Sequence, residues 1–247
     1  MRSLIFSVFV TAFLVTLFLP SCRHELVLPL TTDPTDTIPP PPVDTADLSG
    51  IPCDPDTVYF QNQVLPLLIS QCSKSGCHDV QSHKEGVVLV DYQRVMNTGE
   101  VKPFKPSNSE LYKVLFKTDP EERMPPAPDN PLTAAQKDLI KRWIEQGALN
   151  NACNESYGAC DTTGITYTNF IAPLMANQCT GCHGGSNPQG GLKLSTYAEA
   201  KASALSGKLY GSVAHLSGYS AMPKGGAALT SCFVNKVKAW INNGTPQ

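Results

Sequence analysis

Gln178-Cys179-Thr180-Gly181-Cys182-His183 is the stretch on which the reading of this chain turns, and an upstream counterpart stands with it, Gln71-Cys72-Ser73-Lys74-Ser75-Gly76-Cys77-His78. Two closely spaced cysteines followed by a histidine offer two thiols for thioether bonds to the vinyl groups of a haem and an imidazole for its iron. A distant methionine can close the opposite axial position. Each cluster has one: Met124-Pro125-Pro126 after the first, Met222-Pro223 after the second. The candidate site residues are therefore Cys72, Cys77, Cys179 and Cys182 for covalent attachment, with His78, Met124, His183 and Met222 as axial ligands. The first cluster has two extra residues between its cysteines, which must loop out, a turn that Gly76 favours.

Other chemistries share parts of this pattern. A structural zinc site needs four converging Cys or His ligands. The second cluster offers Cys179, Cys182 and His183 with His215 or Cys232, but zinc leaves the recurring Met-Pro unexplained. A thioredoxin-like redox pair belongs in strand–helix alternation, which surrounds neither cluster. At the first cluster the alternative is a plain Cys72–Cys77 disulfide. A lone methionine is ordinarily core filler, yet Met124 and Met222 both precede proline at matched distances from a tryptophan. His215 has no histidine counterpart in the other copy, His83 sits in the polar stretch 81–85, and His24 belongs to the N-terminal segment. None of the three is favoured as a ligand.

The clusters lie in an internal repeat. Tyr59, Val64, Pro66 and Gln71 lead into the first; Tyr167, Ile171, Pro173 and Gln178 lead into the second. Beyond the histidines, residues 86–92 match 191–197, Leu111-Tyr112 matches Leu209-Tyr210, and Thr133 through Trp143 to Gly147 matches Thr230 through Trp240 to Gly244. Thr133 and Thr230 read as helix N-caps, with Gly147 and Gly244 as the residues that end those helices. Leu139, Ile140, Trp143 and Ile144 recur at helical spacing, as do Phe233, Val234, Val237, Trp240 and Ile241. The leading helix carries Val64, Leu67 and Leu68 in one copy and Phe170, Ile171 and Leu174 in the other, with its proline expected to bend it or mark its first turn. Trp143 and Trp240 are expected in the core. The fold class is mainly α: two tandem helical domains, 53–153 and 160–247, with loop-rich crevices.

Residues 1–21 read as a secretory signal peptide, with Arg2 ahead of an apolar run too short to favour a spanning helix. Leu19-Pro20-Ser21-Cys22 resembles the lipobox of bacterial lipoproteins, although Pro20 stands where a small residue is usual. That resemblance implies cleavage before Cys22 and lipidation of its sulfur. Residues 22–52 read as a disordered Pro/Thr-rich tether with nothing to bury. Exported thiols tend to oxidise, and Cys53, Cys153, Cys160 and Cys232 remain as disulfide candidates. Three pairings are open. Cys53–Cys153 with Cys160–Cys232 is preferred, because each bond ties the entry of a repeat to its C-terminal region. A Cys153–Cys160 bond across the junction is the alternative. A net charge of −2 gives no basic stripe for nucleic acid.

Taken together, the repeats resemble the planctomycete-type cytochrome C domain. The shared features are Val64-Leu65-Pro66-Leu67-Leu68 before the cysteine, Cys-His after it, Ser109-Glu110-Leu111-Tyr112, Arg123-Met124-Pro125-Pro126 and Lys141-Arg142-Trp143-Ile144. They extend over 58–150 and 165–244, with a single proline after Met222 as the main departure. The resemblance implies two cytochrome c-like domains, two covalent haem c groups, His/Met axial ligation and an electron-transfer role. The expected protein is a dihaem lipoprotein carrying electrons one at a time between a redox protein donor and acceptor. It is expected to be exported and lipid-anchored in the bacterial cell envelope, preferably at the outer membrane because Arg23 gives no inner-membrane retention signal, facing the periplasm or the surface. A dihaem peroxidase is the enzymatic alternative, weakened because both copies carry a methionine candidate and neither loop adds a paired His and Glu. A haem-free zinc or disulfide module is the non-redox alternative.

Overall fold

The computed structural model of the protein describes residues 51–224 and 227–247. The signal peptide at 1–21, Cys22, His24 and all but the last two residues of the 22–52 tether lie outside the described residues. In the first half the helices are α1 (Leu65–Gln71), α2 (Tyr92–Thr98), α3 (Glu110–Lys113) and α4 (Ala134–Glu145). The second half has α5 (Ala172–Gln178), α6 (Thr180–His183), α7 (Tyr197–Leu205), α8 (Lys208–Val213) and α9 (Ser231–Asn242). Among the described residues there is no β-strand, only an isolated parallel bridge between Pro52 and Asn154. The protein is mainly α.

Proline shapes the start of both halves. Pro66 has no N–H to give to the carbonyl four residues back, and the residue before it, Leu65, donates five residues back to the Phe60 carbonyl. Ala172, before Pro173, does the same to Tyr167. One π-helical turn, Phe60–Val64 or Tyr167–Ile171, therefore precedes each leading helix. The closing helices are bounded by local chemistry as well. Thr133 Oγ1 accepts from the Gln136 amide at 3.3 Å while Gln136 Oε1 accepts from the Thr133 amide at 2.8 Å, a reciprocal cap on α4. Thr230 Oγ1 accepts from Phe233 N at 3.3 Å at the start of α9. Past their ends the chain turns left-handed at Gly147 (φ 97°) and Gly244 (φ 81°).

Two hydrophobic cores result. Phe60, Val64, Leu67 and Leu68 pack with Val95, Ile140, Trp143 and Ile144 in the first; Ile171, Leu174 and Met175 pack with Ala200, Leu209, Val237 and Trp240 in the second. The tryptophans are 1% and 0% exposed, so they fill the cores. Their indole N–H groups donate to Leu149 O at 3.0 Å and Pro246 O at 2.8 Å, which removes the cost of burying an unpaired donor. Phe60 sits 5.3 Å from the Tyr92 ring and 5.1 Å from Trp143; Tyr167 stands in the same relation to Tyr197 at 5.2 Å and Trp240 at 6.4 Å. This corrects the register read from sequence. Tyr167 corresponds to Phe60, because each lies six residues before its proline. Tyr59 instead accepts the Asp54 amide on its hydroxyl at 3.1 Å.

Disulfides join Cys53 to Cys153 (S–S 1.98 Å) and Cys160 to Cys232 (2.05 Å), tying the entry of each half to its own C-terminal region. Two asparagines reinforce the first tie. Asn151 accepts from Phe60 N at 2.9 Å and donates to Val58 O at 3.0 Å; Asn62 accepts from Cys153 N at 3.0 Å and donates to Cys153 O at 3.1 Å. Each side-chain amide satisfies both a backbone donor and a backbone acceptor, as a neighbouring strand would.

Candidate haem-attachment sites

Cys72 and Cys179 follow directly on α1 and α5, their amides still bonded to Leu68 O and Met175 O at 2.9 Å. The histidine amide then returns to the first cysteine in both halves: His78 N to Cys72 O at 3.2 Å, His183 N to Cys179 O at 2.8 Å. The two extra residues of the first loop are thus absorbed without altering the hydrogen bond between Cys and His. Gly76 takes φ 88°, a conformation that a side chain would strain. Its amide donates to Ser82 Oγ at 2.8 Å, and Asp79 Oδ1 accepts from the amides of Gln81 (2.8 Å) and Ser82 (3.0 Å). The Ser82 hydroxyl, helped by these amides, holds the Asp79 carboxyl down at about 2. In the second half the shorter loop is the helical turn α6.

The imidazoles are oriented alike. His78 Nδ1 lies 3.3 Å from Val87 O, and His183 Nδ1 lies 3.2 Å from Leu192 O. A carbonyl can only accept, so Nδ1 is the donor there, and in the neutral ring Nε2 is the lone-pair nitrogen that a metal could use. The segment after each cluster is pinned a second time, with Leu89 N donating to His78 O at 3.0 Å and Leu194 N to His183 O at 2.8 Å. Such backbone support of the non-ligating ring nitrogen is what metal-binding histidines ordinarily have.

Met124 and Met222 are both half-buried, and their amides are anchored on the preceding helical segment, at Val114 O (3.0 Å) and Ser212 O (3.1 Å). Both Met–Pro peptide bonds are cis. Met124 packs against the first core. The other histidines have different duties. His215 is exposed and its Nε2 donates to the Met222 carbonyl at 2.9 Å, while exposed His83 donates from Nδ1 to Val80 O at 3.3 Å.

The four cluster cysteines are free thiols of intermediate exposure, without a Cys72–Cys77 bond. Burial pushes the Cys72 and Cys179 thiols up to about 12. Thiol–disulfide catalysis relies on the opposite shift, since the thiolate is the nucleophile. Among the described residues no three His, Cys, Asp or Glu side chains gather as a bare metal ion requires. Two free thiols, one imidazole and a half-buried thioether are the donor types that a covalent haem would use, and each half carries them.

Some of this frame has no side-chain signature. The Val87 and Leu192 carbonyls that set the imidazoles are backbone groups, invisible to residue typing. Lys74, one of the residues of the longer first loop, pairs with Asp129 beyond Met124 at 2.5 Å, with only 12% of the lysine side chain exposed. That pair links the attachment loop to the methionine loop, and only the reach of the inserted residues hinted at it.

The family model for Planctomycete cytochrome C matches residues 75–128, a span that includes Cys77, His78 and Met124. No curated protein and no solved structure matches the chain. The segment carrying the first candidate axial pair is therefore similar to Planctomycete cytochrome C, a family of c-type cytochromes.

Proposed function

We propose that the chain is a dihaem c-type cytochrome of two tandem cytochrome c-like domains, 53–153 and 160–247, acting as an electron carrier and not as an enzyme. The observation that carries this reading is the same polar frame in both halves: a histidine with Nδ1 held by a backbone carbonyl, directly after the second of two free cysteines. Cys72 and Cys77 would hold one haem c and Cys179 and Cys182 the other. His78 with Met124, and His183 with Met222, would supply the side chains that ligate the iron. When bound there, the haem supplies the Fe(III)/Fe(II) couple. The chain's own part is structural and electrostatic. The Val87 and Leu192 carbonyls orient the imidazoles and raise their donor strength. The thioethers of Met124 and Met222 are soft ligands that favour the reduced metal. Cys22 is lipidated and the 22–52 tether spaces the domains from a membrane, preferably the outer membrane, where separate redox proteins give and take single electrons.

The test is a pyridine haemochrome assay with intact-mass measurement on protein exported from a host able to attach haem c. Two covalent haems per chain are expected. A bare polypeptide mass overturns the reading. Peroxide-driven turnover that saturates would move the protein to the enzyme class.

A further inference from the structure

The two attachment turns are packed against each other. Helix α1, which leads into Cys72, lies on α5, which leads into Cys179, and also touches α6, the turn holding Cys182 and His183. The contact has a defined centre. A Cβ built on Gly181, between the second pair of cysteines, would lie 1.8 Å from the Ser70 carbonyl oxygen and 2.4 Å from its carbon. Gly181 is not among the positive-φ residues, so the glycine is needed there for close approach and not for its conformation. Gly76, its counterpart before Cys77, is the reverse case: left-handed, with nothing within 4 Å. Two side chains of the first half fasten the same spot, Gln71 Nε2 and Gln136 Nε2 donating to Ala176 O at 3.0 and 2.8 Å. Ser70 and Gln136 are 7% and 5% exposed, so these two groups of the junction are buried.

We infer that Gly181 is a positioning residue that holds the two haem-bearing turns in direct contact, making the two haems one electronically coupled pair and not two independent carriers. The inference rests on the dihaem reading above. A side chain at 181 must part the turns from 1.8 Å to the 3.4 Å at which ordinary contact begins, a movement of about 1.6 Å. The parting is taken up by backbone on both sides, because the obstructing atoms are main-chain atoms of Ser70. Both coupling between the porphyrin transitions and electron exchange between the sites fall steeply with separation.

The experiment uses mature full-length holoprotein and reads circular dichroism across the Soret band, with haem counted by pyridine haemochrome in every sample. The wild-type spectrum is compared with the sum of two single-haem variants, C72S/C77S and C179S/C182S. A bisignate couplet present in the wild type and missing from the sum is expected. G181V, still carrying two haems, should lose the couplet, and G181A should show a smaller one. If G181V does not accumulate, the wild-type comparison decides alone, and Q136L, which removes one fastening donor, should weaken the couplet. Two haems with a purely additive spectrum, or a couplet unchanged in G181V, overturns this inference and leaves the dihaem reading standing. One haem or none per chain overturns both.

Discussion

Removing either disulfide should destabilise the protein strongly while leaving its native contacts almost unchanged. Cys53–Cys153 spans 100 residues and Cys160–Cys232 spans 72. In the chain-entropy account these bonds restrict the unfolded chain by about 4.7 and about 4.4 kcal/mol respectively. The native side is held independently, by the Asn62 and Asn151 amides and by the capped α4 and α9 helices, so C53A/C153A should fold to the same structure. The assay is urea denaturation followed by far-UV circular dichroism. Tryptophan fluorescence adds a readout for each half, since Trp143 belongs to the first core and Trp240 to the second. C53A/C153A should move the Trp143 transition and C160A/C232A the Trp240 transition, with the two losses additive to within about 0.5 kcal/mol. A loss below about 1 kcal/mol with an unchanged native spectrum would refute the claim that these bonds act by closing long loops.

Four shorter predictions follow from the same structure. W143A and W240A should each cost about 3–5 kcal/mol, from the lost burial and the cavity left behind, measured by urea denaturation. Burial holds the Glu155 carboxyl above its usual 4.5, against the lowering hydrogen bonds from Thr230 and Asn62. The folded chain therefore keeps a proton that the unfolded chain has released, so stability should fall as pH rises through the window just above 4.5, and E155Q should flatten that slope. K74A and D129A should each cost about 1 kcal/mol, and the double variant less than their sum, in a double-mutant cycle. On the proposed dihaem reading, M124A and M222A should each abolish, in one half only, the long-wavelength charge-transfer band of thioether-bound ferric haem, and lower that haem's reduction potential, read by redox titration.

Much of the architecture was legible because it is written locally and written twice. The threonine caps and glycine stops of α4 and α9 depend on side chains within a few residues of each other, and matched intervals around Trp143 and Trp240 exposed both helices. The mainly α class followed from that periodicity. The register of the leading helix was harder. Tyr59 and Tyr167 share a residue type, but the chain places Phe60, not Tyr59, between a tyrosine and a tryptophan, and a count back from proline would have shown it. The caps on α2 and α7, Asp91 and Thr196, carried a readable signal, since Thr196 is followed at the right distance by Glu199. Other features were out of reach of sequence. Backbone acceptors such as Val87 O have no identity at the residue level. The demand for glycine at 181 comes from a helix more than a hundred positions away, and only the folded chain brings the two together.

The meeting of α1 with α5 also limits how this architecture can grow. Corresponding helices face each other, but the contact is one-sided, with Gly181 pressed on Ser70 while its counterpart Gly76 meets nothing within 4 Å. A third copy added in series would find that surface already covered on both predecessors. The two halves, joined through residues 150–161, spend that surface on each other, and lengthening the chain into an array would require a second interface.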